Sequence, residues 1–230
     1  MKYITKPMYQ YICSDFAQSE LSIIPTEKGG STQNFTCLFA QWIQKKGVSE
    51  TDGLNEMQHS LRAIQAVMAP EILALVPDQR ILAMGFVTRE QYSAAERERK
   101  RLSLQIKKAE RRRHIRYKAQ QFFLPDVIKD YPEWNDAVIE SVVFNNDMAF
   151  MKIHHCWLKG ECQKTCVICF EHCSFAESES GLNNKRIVEN EIIKKGRYVE
   201  WHFLTEGSTD YSCDTIRFKH IKVVKIADAV

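Results

Sequence analysis

Residues 154–173 read His154-His155-Cys156-Trp157-Leu158-Lys159-Gly160-Glu161-Cys162-Gln163-Lys164-Thr165-Cys166-Val167-Ile168-Cys169-Phe170-Glu171-His172-Cys173. Five of the eight cysteines and three of the seven histidines of this 230-residue chain fall within them. In a reducing compartment, clustered cysteines are more often metal ligands than disulfides. The spacing Cys166-x2-Cys169 lets two thiolates turn onto one ion. The stretch therefore predicts a loop closed by zinc. Cys166 and Cys169 are the first ligands, and two of Cys156, Cys162 and Cys173 complete a tetrahedral site in which a histidine can replace one. Four protein ligands leave no position for water, so the expected role is structural. An iron–sulfur cluster is the competing cofactor, because four cysteines this close also suit one. Free thiols without metal are the plainer alternative. That alternative is the expectation for Cys13 and Cys37, read as small buried hydrophobes on helical patterns.

Upstream of this stretch the pattern is helical. Phe35, Leu38, Phe39, Trp42 and Ile43 recur at helical spacing between a Ser31 cap and a stop at Gly47. Leu54, Met57, Leu61, Ile64 and Met68 form a second such stripe over 53–69. Thr88-Arg89-Glu90-Gln91 is a capping-box pattern, and no Pro or Gly follows it as far as Gln121. A helix over 89–121 is predicted, on the order of 50 Å long. Between Thr88 and Gln121 stand twelve Lys/Arg and four Glu, a net +8 in a chain whose total is +3, which leaves −5 for the remainder. A further helix is expected over 133–144, from Trp134, Ala137, Val138 and Val142.

Downstream, Ile187, Val188, Ile192 and Ile193 suggest a short helix before Gly196. Alternating Val199, Trp201, Phe203 and Ile216, Phe218, His220 suggest two strands paired as a hairpin. The expected fold class is mainly α with a small α+β C-terminal part. A helical region over 1–145 contains the basic helix. A Cys-rich zinc-binding α+β module over 146–230 contains the metal loop, a short helix and the hairpin.

Composition narrows the function. An apolar fraction of 44% and a charged fraction of 27% are those of a globular chain. No apolar run approaches the ~18 residues of a membrane span, and no signal-peptide pattern opens the chain, so no membrane partner and a cytoplasmic location are expected. No phosphate-binding glycine loop, nucleophile elbow or His-Glu-x-x-His motif is present. A row of cations on one helix suits a phosphate backbone, which rewards each contact by counterion release. The expected binding residues are Arg97, Arg99, Lys100, Arg101, Lys107, Lys108, Arg111, Arg112, Arg113, Arg116 and Lys118, with His114 and Tyr117 placed to stack on a base or ribose. The reading is a non-enzymatic DNA- or RNA-binding protein with a structural zinc site, acting as a regulator or as a subunit beside other proteins in a nucleoprotein complex. The alternatives are an adaptor for an acidic partner protein and a ββα-metal nuclease, with His154 or His155 as general base near Asn183, Asn184 and His202.

Overall fold

The structure is a computed structural model that describes residues 3–24, 34–76, 78–129, 134–158, 161–176, 181–207 and 211–227. The chain divides into two compact units, Pro7–Ala109 and Glu110–Val230, the second including the first six residues.

The first unit is helical. It contains α1 (Lys6–Ile12), α2 (Asp15–Gln18), α3 (Phe35–Lys46), α4 (Glu50–Val67), α5 (Pro70–Ala74) and α6 (Gln79–Ala83). Two short parallel strands, β1 (Ser22–Ile23) and β2 (Phe86–Val87), pair the segment after α2 with the one after α6. Asn34 caps α3 by accepting from the Cys37 backbone N–H, and Gly47, at φ 68°, ends it in the left-handed conformation that a Cβ disfavours. The Ser31 cap expected from sequence lies outside the described residues. Gly53 lets α4 approach α3 closely, since a Cβ there would stand 2.5 Å from Ile43 Cγ2. Leu38, Phe39, Trp42 and Met57 form one buried cluster, and Ala63, Ile64, Leu82 and Leu102 belong to another. Cys13 and Cys37 are exposed and not buried as expected.

The last helix, α7 (Arg89–Gln120), belongs to the first unit up to Ala109 and to the second thereafter. Its capping box forms as read. The Gln91 N–H donates to Thr88 Oγ1 (3.3 Å), and the Thr88 N–H donates to Gln91 Oε1 (3.1 Å).

The second unit overturns the expected fold class. Beyond α7 the described residues form two single 3₁₀ turns and then strands: β3 (Val138–Asn145), β4 (Met148–Leu158), β5 (Glu161–Glu171), β6 (Ser174–Ala176), β7 (Lys185–Lys195), β8 (Tyr198–Glu206), β9 (Tyr211–Phe218) and β10 (His220–Ala227). The C-terminal half is thus a large antiparallel sheet and not a small α+β appendage to a mainly helical chain. The helix expected over 133–144 is replaced by β3, whose Val138, Ile139, Val142 and Val143 are β-branched and favour an extended chain. The short helix expected at 187–193 is β7. The expected division at 145 falls at the turn between β3 and β4, which pair along their length.

The strand order is β10-β5-β4-β3-β7-β8-β9-β6, all antiparallel. Its two ends are continuous in sequence with inner strands. β6 follows β5 after His172 and Cys173, and β10 follows β9 after Lys219. Glu171 faces His220 on one side of this bend, and Ser174 faces Arg217 on the other, so the register crosses without a slip. The Lys219 N–H donates to the Glu171 carbonyl between them (3.1 Å). The sheet therefore closes on itself as two four-stranded halves joined by a shared corner and by a short β3–β7 junction. Inward residues change parity across the corner. Ile168, Phe170 and Ile221 lie on one side and Ile216 and Phe218 on the other, all in one core with Trp134, Met151, Ile153, Trp201 and Phe203. His172, at φ 51°, makes the kink that allows this.

Candidate nucleic-acid interface

In the first unit, α7 docks through Ala95, Leu102 and Ile106 on the helical core. At about 3.6 residues per turn, Arg97, Lys100, Lys107 and Lys108 face away from that stripe. All four are exposed. Two other cations of the expected row serve the fold. Arg99 donates to Glu96 (2.8 Å) and to the carbonyls of Ala17 (3.2 Å) and Ser19 (3.0 Å). Arg101 donates to Glu98 (2.7 Å), whose carboxylate also accepts the Ala69 N–H (2.9 Å). The Arg101 hydrogen bond holds the Glu98 carboxyl below the usual range and the guanidinium above its own.

In the second unit, the end of α7 packs on β7. Arg113 pairs with Glu189, and the Tyr117 hydroxyl donates to the Lys129 carbonyl while its ring packs against the core. Tyr117 is therefore engaged in the fold, and of the two expected stacking residues only His114 is exposed. Gln120 is buried, and its carboxamide donates to the Ile192 carbonyl and accepts from the Lys194 N–H (2.9 Å). It satisfies the edge of β7 as one residue of a neighbouring strand would. Arg111, Arg112 and Lys118 occupy the opposite face with Ile115, and Arg116 lies at its margin. All five are exposed.

Of the eleven expected cations, Arg97, Lys100, Lys107, Lys108, Arg111, Arg112, Arg116 and Lys118 form no side-chain ion pair or hydrogen bond among the described residues. Sequence reasoning could not set Arg99 and Arg113 apart from these eight, because partners of both lie about eighty residues away in the chain, whereas the Glu98 partner of Arg101 lies only three residues before it.

Comparison with protein-family models, curated proteins and solved structures finds no match to this chain.

Among the described residues of the cysteine stretch, those up to Leu158 and from Glu161 to Glu171 are strand. Cys166, Ile168 and Phe170 point into the core, whereas Cys169 is three residues along β5 and so on its other face, buried against its own surroundings. The two do not meet on one side of the sheet. Cys173 follows the His172 kink and packs against the core as a half-buried residue. Burial pushes the thiols of Cys169 and Cys173 above the ordinary range. The backbones of Cys156 and Cys162 lie in the β4–β5 ladder, and their side chains lie outside the described residues. Among the described residues, no three His, Cys, Asp or Glu side chains are arranged to hold a metal ion.

The histidines separate likewise. His154 Nε2 stands 2.5 Å from Glu140 Oε2, and its Nδ1 2.8 Å from Thr165 Oγ1. His155 is exposed, at φ 55°. Asn183 Oδ1 accepts the Val142 N–H (2.8 Å), and His202 stands on β8 against Thr215. No helix among the described residues is long and apolar enough to cross a membrane.

Proposed function

We propose that the chain binds nucleic acid through the exposed cations of α7. The observation that carries this reading is their division of labour. Three cations of the row are tied to carboxylates and carbonyls of the fold, and eight are exposed without an ion pair among the described residues. A solvated surface helix usually balances its charges by pairs three or four residues apart. These eight have no such neighbours engaged, and the chain outside α7 is net acidic. Arginine supplies half of them and presents a planar fork suited to phosphate oxygens. The reading runs through the cations and takes no step through the cysteines.

Binding of fluorescein-labelled duplex and single-stranded oligonucleotides, followed by anisotropy across a salt series, tests it. Affinity is expected to fall steeply with salt, with a log–log slope of about −0.7 to −0.9 per phosphate contacted. Replacing Arg111, Arg112 and Arg116 together by Gln should weaken binding at least tenfold and flatten the slope by about 2. Lack of binding to either oligonucleotide at low salt overturns the reading, as does a triple variant that binds as wild type.

A further inference from the structure

Phe122 and Phe123 are the most exposed large apolar side chains among the described residues, at 86% and 69% of their surface. They follow α7 directly, on the single 3₁₀ turn Gln121–Phe123. The turn is pinned at both ends. Gln120 before it is clamped to the backbone of β7, and Leu124 after it is buried in the core cluster. The Leu124 N–H donates to the Gln121 carbonyl (3.2 Å) and closes the turn. Two adjacent aromatic rings are thus held in water by a rigid support. Isolated exposed apolar residues are ordinary, but a pinned aromatic pair beside a charged row marks a contact surface.

Resting on the proposed nucleic-acid reading, we infer that Phe122 and Phe123 form a stacking platform for unpaired bases, so that the preferred ligand is single-stranded nucleic acid. The cations that precede the rings supply the complementary half of the site. Lys118 lies one turn of helix before Phe122, and Arg116, Arg112 and Arg111 lie within about 16 Å along the axis. A single strand offers both features at that spacing, a phosphate backbone for the cations and open π faces for the rings. A duplex offers the phosphates but keeps its bases stacked on one another. An anionic membrane fits less well. A helix lying on lipid separates an apolar face from a basic one, whereas in this unit the inner face of α7 is occupied by β7 and Ile115 sits among the cations.

The test compares wild type, the double variant Phe122→Ala/Phe123→Ala and the double variant Phe122→Tyr/Phe123→Tyr. Each is titrated with a labelled mixed-sequence single strand and with its duplex. Because the rings are in water, the alanine variant should unfold at the wild-type temperature. Its single-strand affinity should drop roughly 10- to 100-fold, its duplex affinity should change less than about twofold, and the tyrosine variant should retain wild-type binding. An alanine variant that binds single strands as wild type does, or loses duplex binding equally, overturns the platform and leaves the cation reading standing. Wild type binding neither ligand at low salt overturns both. A further arm uses phosphatidylserine vesicles. Vesicle binding abolished by the alanine pair, with oligonucleotide binding intact, assigns the rings to lipid and overturns the inference.

Discussion

His202 stands on β8 with Nδ1 2.8 Å from Thr215 Oγ1 and Nε2 3.4 Å from Glu200 Oε2. Glu191 is its register partner on β7, and Lys195 pairs with Glu200 beside it (2.6 Å). Burial pushes its pKa down from 6.5 to about 4, because desolvation penalises the imidazolium, with Lys195 adding to it, more than Glu200 favours it. The folded state then holds His202 neutral in a range where the unfolded chain protonates it. Stability is complete above the unfolded value and is lost as pH falls from 6.5 towards about 4, with no further loss from this group below that. The loss is on the order of 3 kcal/mol. Urea unfolding of wild type and His202→Gln should show it as an excess pH dependence in the wild type between about pH 7 and pH 4. Parallel curves would show that His202 is not held neutral. The sequence displays this residue as one inward–outward alternation among several. What covers its face is set by tertiary structure, so its burial was not legible. Cys166 teaches the converse. Cys166, Ile168 and Phe170 keep the period-two alternation of a half-buried strand. The density of soft ligands drew the reading to a loop, although the local pattern already placed Cys166 and Cys169 on opposite faces.

At the scale of elements, α7 was the most legible feature. A capping box and a run uninterrupted by Pro or Gly set its start and its end to within a residue. Arg99 and Arg113 occupy docking positions on the inner face of the helix and end in ion pairs. Neighbouring residues therefore have opposite roles. Arg113→Ala should cost about 1–2 kcal/mol of stability, leaving the part-buried Glu189 without this guanidinium. It should barely change oligonucleotide affinity. Arg112→Ala should leave the unfolding midpoint unchanged and weaken binding several-fold. Urea denaturation and anisotropy on the two variants check this, and similar behaviour of the pair would contradict the two-sided assignment of the helix. The strands were harder to read. β7 is buried on both faces and slips register between Ile187 and Glu189, so Ile187, Val188, Ile192 and Ile193 lose the alternation that marks a strand. β8, without a bulge of its own, kept that alternation and was read as a strand, whereas of β9 only the Ile216–Phe218 end was, the expected strand running on through the Lys219 bend to His220.

At the scale of the second unit, closure of the sheet was not visible in the chain. It depends on two bends, at His172–Cys173 and at Lys219, neither of which carries a glycine or proline. A non-glycine residue at φ 51° is uncommon and is held by its surroundings: His172 Nδ1 lies 2.7 Å from Asp147 Oδ2, and the Cys173 N–H donates to the Asp147 carbonyl (2.8 Å). Closure makes a definite claim about dynamics. If β6 and β10 were the free edges of an open sheet, amides at the bend would exchange through local fraying. In a closed sheet they open only with the core. The amides of Cys173 and Lys219 are therefore expected to exchange within about tenfold of those of Ile168 and Phe170 in native-state hydrogen exchange. Among the described residues the β3–β7 junction is a short seam of two residue pairs, and there Gln120 covers the β7 edge that β3 leaves open. Gln120→Ala should accelerate exchange at the Lys194 amide while Cys173 and Lys219 stay protected. Fast exchange at Cys173 and Lys219 in the wild type would mean that the ladder does not cross the bend and that the sheet is open. Loss of protection at all three amides in the variant would mean that the seam, and not the corner, holds the ring together.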